Sequence, residues 1–329
     1  MFASDVRVPP VARRAALPAG QTALVPGSWL AGGLALSTLA VAAMIAATGQ
    51  TVIFTPGSRI LFWCTAVIGI TLRWLFRRPR SEGQRIARDA AESLGLFALL
   101  CLLGAVATYP IAAFSTGFHD GALERIDAML RFDWRDWYNV VAAHRPLQRL
   151  GAAAYASIFV TPALLLGYFA WAGRQAEARR FIVAFWLAAV TTLLLFAFFP
   201  AEGPLATLWH GPIPYMPASA LYQAELIPEL RSRALTVINL GDLRGLVCAP
   251  SFHTSSAVLY MAAAWPFPRL RWPVVAINGA MLLATPVEGT HYLADMLFGA
   301  VVALAALAVV TALVRTLPSD KEPGRRPQH

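Results

Sequence analysis

The chain has 329 residues, a mean hydropathy of +0.57 and only 14% charged residues. A soluble domain carries about 25% charged residues, so a globule of this size would lack the polar surface that keeps it in water. The formal charge of +9 comes from cations scattered between apolar runs, which argues against a nucleic-acid partner and gives the positive charge a topological role.

Residues 1–27, with Arg7, Arg13 and Arg14, read as a cytoplasmic N-terminal tail. No Ala-x-Ala-like site follows a short apolar core, so the first apolar run is expected to stay as a span. Apolar stretches then predict about eight spans, at 28–48, 60–76, 93–114, 151–172, 181–199, 251–265, 272–287 and 292–314, judged by the ~20-residue requirement. The sixth and seventh are short. The fold class is therefore all-α: a polytopic transmembrane helical bundle. Cys64 and Cys101 lie inside apolar runs and Cys248 in a loop, and no spacing suggests a metal knuckle or a disulfide.

Arginines orient the spans. Arg73 to Arg88, Arg174 to Arg180, Arg269 with Arg271, and the C-terminal tail 316–329 all fall on one side if eight spans alternate. The positive-inside rule then makes both termini cytoplasmic. An integral protein of a bacterial inner membrane is expected, with two long loops outside. In 115–150, apolar residues recur at Leu123, Ile126, Leu130, Trp134, Trp137 and Val141, the period of an amphipathic helix lying on the leaflet or packed as a cap on the bundle. Arg125 to Arg149 are interleaved there with acids, Asp127, Asp133 and Asp136 among them, that are expected to neutralise them. In 200–250, six prolines from Pro200 to Pro228 predict an irregular cover.

Two of the histidines open spans on that outer side. His253 stands in Pro250-Ser251-Phe252-His253, and His291 in Gly289-Thr290-His291-Tyr292-Leu293-Ala294-Asp295. Ionisable residues at the edge of an apolar helix are costly and so are functional candidates. His291 and Asp295 are four apart, so on a helix they share a face, and the carboxylate can fix the imidazole's tautomer and raise its basicity. That pairing suits a histidine nucleophile, or half of a metal site. Free N–H groups at both helix starts would attract a phosphate, with the Ser251 hydroxyl as a further donor.

These two motifs resemble those of the type 2 phosphatidic acid phosphatase superfamily. Its Pro-Ser-x-His is matched by Pro250, Ser251 and His253, and its Gly-x-His-x-x-x-Asp by Gly289, His291 and Asp295. The resemblance implies His291 as the nucleophile that becomes phosphohistidine, Asp295 as its partner, and His253 as the acid for the leaving group. It covers the last six spans: 93–315 would be a phosphatase-like six-helix core, and 28–92 two additional helices. The family's Lys-containing first motif is absent, since the only lysine is Lys321, and the Arg six residues before the third-motif His is Thr285 here. Phosphate-binding cations must come from elsewhere: Arg244 first, seven residues before Ser251, then Arg231 and Arg233. His291-Tyr292 and the missing Arg are similar to the inositol phosphorylceramide and sphingomyelin synthase branch. The expected activity is metal-independent and cofactor-free transfer from a membrane lipid phosphate to a lipid or polyol alcohol. A lipid or polyprenyl pyrophosphate phosphatase is the alternative, and a transporter or scaffold on the same fold a second.

Overall fold

The computed structural model describes residues 24–316; most of both tails lies outside the described residues. Seven helices are long and apolar enough to cross a membrane: α1 (Gly27–Thr48), α2 (Pro56–Leu75), α3 (Glu82–Phe114), α6 (Arg145–Ala172), α7 (Gln175–Phe198), α11 (Pro268–Glu288) and α12 (Leu293–Thr316). The chain is an all-α polytopic bundle. The sixth expected span departs from the count. It forms α10 (Phe252–Ala264), whose 13 residues reach only ~20 Å at 1.5 Å per residue, against the ~30 Å of a hydrocarbon core. α10 is instead wrapped by its neighbours, packing on α6, α7, α11 and α12. Its short length recesses whatever sits at its N-terminus.

The bundle is built around aromatic and aliphatic side chains of these helices, with Phe97, Leu165, Phe169, Ile182, Phe185, Leu259 and Tyr260 buried together. α1 and α2 pack on α3, and α2 presents Ile60, Trp63, Val67, Ile70 and Trp74 outward. Arginines tie helix ends together at one end of the bundle. Arg179 donates to the Val25 carbonyl at 3.1 Å and pairs with Glu92 at 2.9 Å, which Arg73 also meets at 3.1 Å. Arg85 donates to the Ala170 carbonyl at 3.0 Å. Of the arginine-bearing connections expected on one side, Arg73 to Arg88 and Arg174 to Arg180 thus meet there.

The opposite end carries the long loops, and both are more ordered than their sequences suggest. The single amphipathic helix expected from 115–150 is two, α4 (Asp120–Met129) and α5 (Trp134–Ala143). Arg131, at φ 58°, turns the chain between them, and the Asp133 side chain caps α5 by accepting from the Arg135 N–H at 2.8 Å. The break changes which face is inward. Asp120, Leu123 and Asp127 are buried, whereas Ile126, Met129 and Leu130 are exposed. In the second loop, α8 (Pro204–Leu208), α9 (Tyr222–Arg231) and β2 (Val237–Asn239) replace the expected irregular cover. β2 pairs in parallel with β1 (Thr51–Ile53), between α1 and α2, so the N-terminal helices are stitched to this loop. Leu123, Trp134, Tyr138, Leu205, Leu208, Val287 and Tyr292 form a separate apolar cluster that roofs this end.

Candidate active site

Two helix starts meet under that roof. Ser251 is the N-cap of α10: its hydroxyl accepts from the Thr254 N–H at 3.4 Å, and its own N–H donates to the Asp295 carbonyl at 3.1 Å. α10 and α12 touch this closely because position 299 is glycine; a Cβ there would overlap the Ser251 carbonyl. The Ser255 hydroxyl then reaches the Gly299 carbonyl at 2.7 Å. Small residues let helices approach in this way without water between them.

The side chains of His253, His291 and Asp295 come together at this junction. His291 Nδ1 lies 2.9 Å from Asp295 Oδ1, with both residues buried. Asp295 Oδ2 accepts from the Tyr292 N–H at 2.8 Å, locking the carboxylate's orientation. Gly289 makes room for the His291 ring, since a Cβ there would run into its Cδ2 edge. The His253 and His291 rings have centroids 6.2 Å apart, so a group bonded to one can hydrogen-bond to the other. His253 keeps part of its surface open, whereas His291 is 2% exposed.

Several neighbours carry no motif and were missed by the sequence reading. Tyr155, on α6, stacks on His253 with centroids 4.0 Å apart and places its hydroxyl 3.2 Å from His253 Nδ1. The buried Cys248 thiol lies 3.6 Å from Asp295 Oδ2. Burial, reinforced by the negative charges of Asp295 and Asp120, holds that thiol well above the usual range. Glu288 accepts from the Tyr215 hydroxyl at 2.7 Å and the Ala218 N–H at 3.1 Å, fastening the second outer loop to the end of α11.

The N-terminus of α12 departs from expectation. Its first N–H groups are not free for a phosphate, because the Asp127 carboxylate accepts from Leu293 at 3.0 Å and Ala294 at 2.7 Å. Asp120, two turns earlier on the same face of α4, accepts from the Gly203 N–H at 2.9 Å and the Tyr292 hydroxyl at 3.1 Å. Burial raises the Asp127 carboxyl to about 6 despite those two N–H bonds. The expected neutralisation of the outer arginines is also corrected. Among the described residues, no ion pair joins Arg125 to Arg149 with Asp127, Asp133 or Asp136, because Asp127 and Asp133 are spent on helix caps. The only usable sequence signal was the seven-residue spacing of Asp120 and Asp127, which puts two acids on one helix face.

The three arginines expected at the phosphate have other partners. Arg244 pairs with Asp242 and lies over the Tyr222 ring. Arg231 donates to the Ser115 hydroxyl and the Gly117 carbonyl, and Arg233 to the Thr48 carbonyl. None of these guanidinium groups hydrogen-bonds to His253, His291, Ser251 or Asp295. Arg131 and Arg135 line a cavity of about 300 Å³ with Asp127, Trp134 and Tyr292. His291 and Asp295, which by spacing alone could be half of a metal site, gain a third donor in the fold: the ligand atoms of Cys248, His291 and Asp295 lie within 4.8 Å of one another.

The fold is thus a bundle of membrane-crossing helices that holds a buried histidine–carboxylate pair beside a second histidine. The family model described as the PAP2 superfamily matches residues 121–309, and the chain belongs to that superfamily. Membership supports a phosphatase-like enzyme acting on lipid phosphates. No curated protein and no solved structure matches the chain.

Proposed function

We propose that the protein transfers a phosphoryl or phospho-headgroup from a membrane lipid phosphate to an alcohol, through a phosphohistidine on His291. The observation that carries this reading is the buried 2.9 Å contact of His291 Nδ1 with Asp295, beside His253. The Nδ1 proton is donated to the carboxylate, so the Nε2 lone pair is left to attack phosphorus. As the P–O bond breaks, His253, protonated once the phosphate's negative charge lies beside it, gives its proton to the departing oxygen. It then takes a proton from the acceptor hydroxyl as that oxygen attacks the phosphohistidine, and His291 leaves as neutral imidazole. The two histidines end as they began. Every step uses side chains of this chain.

The donor's tails lie in the bilayer while its phosphate enters the recess above α10. With the arginine-rich end cytoplasmic by the positive-inside rule, that recess opens on the extracytoplasmic side. The synthase-like His291-Tyr292 pair and the absent family cations favour an alcohol over water. Water as acceptor is the second reading, favoured by the phosphatase character of the superfamily. Phosphate charge still needs a cation. The Arg244–Asp242 pair is solvent-exposed, and such pairs contribute only about 0–1 kcal/mol, so an arriving phosphate can recruit Arg244 cheaply.

The test is to quench the purified enzyme during turnover of phosphate-labelled lipid. An acid-labile, base-stable phosphoenzyme should form in the wild type and be missing in His291→Ala. Mass spectrometry of the products, with and without added alcohols, then separates transfer from hydrolysis. Steady turnover in His291→Ala would sink both readings.

A further inference from the structure

We propose that Cys248, His291 and Asp295 form a binding site for a thiophilic divalent cation of the zinc class, and that its occupancy arrests the enzyme. The first half rests on geometry alone; the second rests on the catalytic roles proposed above.

A sulfur, an imidazole nitrogen and a carboxylate oxygen lie within 4.8 Å of one another, all on buried residues. Zinc draws such ligands to about 2.0–2.3 Å, so three donors in this volume converge on one ion with small rotamer adjustments. One thiolate, one imidazole and one carboxylate are an N/O/S set that suits zinc better than magnesium or calcium, which take oxygen ligands. The elements holding the donors are fixed independently of any ion. Cys248 precedes the cap of α10, His291 and Asp295 flank the start of α12, and the Ser251–Asp295 backbone bond joins the two. Tyr292 N–H and Asp127 further fix the turn that carries His291.

Coordination is balanced by loss of one proton. The thiol gives its proton to solvent as sulfur binds, since a coordinating thiol is deprotonated outright. Neutral His291 offers one lone pair. If the ion takes Nδ1, the ring proton moves to Nε2 and the nucleophilic lone pair is gone; if it takes Nε2, the nucleophile is covered directly. Either geometry stops attack on phosphorus.

Cobalt(II) is the probe, added to the detergent-purified full chain under reducing, anaerobic conditions. A thiolate-to-cobalt charge-transfer band should appear, saturate at a single site and be bleached by zinc. It should survive Cys64→Ser with Cys101→Ser and disappear in Cys248→Ser. In turnover assays zinc should inhibit, and Cys248→Ser should raise the inhibitory concentration by at least about tenfold. Should Cys248→Ser fail to fold, His291→Ala serves in its place and should weaken cobalt binding by a similar factor. No band, a band that follows Cys64 or Cys101, or a rise in turnover on adding zinc would overturn the proposal. A Cys248-dependent band in a protein that forms no phosphoenzyme would uphold the site and sink the catalytic reading instead.

Discussion

The two ends of the bundle treat charge in opposite ways. At the arginine-rich end, carboxylates meet cations: Glu92 is shared by Arg73 and Arg179, and Asp89 by Arg85 and Arg88. At the other end four carboxylates are buried, and among the described residues none of them meets an arginine. Asp120 and Asp127 take backbone N–H groups, Glu288 takes a tyrosine hydroxyl and an N–H, and Asp295 takes an imidazole, an N–H and a thiol. Ion pairs at the first end join α2 and α7 to α3 through Glu92, and the Arg179 bond to the Val25 carbonyl ties in the chain just before α1, a stapling role. Backbone, hydroxyl and thiol donors at the second hold the carboxylates in one orientation, and one of the four, Asp295, meets a histidine. The contrast separates stability from chemistry along the bundle axis.

The sharpest test of that separation is at the site end. His291→Ala should lower turnover by at least about 10⁴-fold, as loss of a nucleophile does, with the helical content by circular dichroism unchanged. His253→Ala should cost about 10²–10⁴-fold with an alkyl phosphate and much less with a p-nitrophenyl leaving group that needs no proton. Tyr155→Phe, which removes a single hydrogen bond to His253, should cost roughly fivefold and show the same dependence on the leaving group. Equal losses with both substrates would mean that Tyr155 only packs. Arg244→Ala should lower kcat/KM by about tenfold, and Arg244→Lys should recover part of it because Lys lacks the bidentate contact. Wild-type kinetics in Arg244→Ala would move the cation to Arg131 and Arg135 beside Tyr292.

At the arginine-rich end the expectation reverses. Arg179→Ala removes the contacts to Val25 and Glu92. It should lower the temperature of half-inactivation by several degrees while the surviving enzyme keeps its kcat and KM. A changed KM at unchanged stability would break the comparison.

What the sequence shows and hides follows the same division. Apolar length announces the spans because a bilayer demands it of every lipid-facing helix; α10 escapes because protein surrounds it. His253, His291 and Asp295 are legible because their two motifs tie residue type to short spacing. Their supports are not: Tyr155 is 98 residues from His253, and Asp127 is 167 from Ala294, so the tertiary fold alone brings them together. Asp127 also misleads, since an acid between Arg125 and Arg131 reads as their counterion until the break at Arg131 leaves its face of α4 inward. The three arginines chosen by proximity in sequence to Ser251 went to other partners for the same reason.

Asp127 offers the smallest and most discriminating measurement. Burial disfavours its charge and the Leu293 and Ala294 N–H groups favour it; burial wins, and the carboxyl rises from 3.8 to about 6. A group raised in the folded state contributes stability that is full below its unfolded value and is lost as pH rises through the folded value. The window is therefore from 3.8 to about 6. Asp127→Asn keeps the shape and an acceptor oxygen but cannot titrate. The half-inactivation temperature of the wild type minus that of Asp127→Asn should thus increase by a few degrees on acidification from about pH 7 to about pH 5, and stay flat above about pH 7. Subtraction removes the histidines common to both proteins. A difference that grows with rising pH instead would mean that the two helix-end N–H bonds outweigh burial, so that the site end stabilises its carboxylates as charges just as the arginine-rich end does.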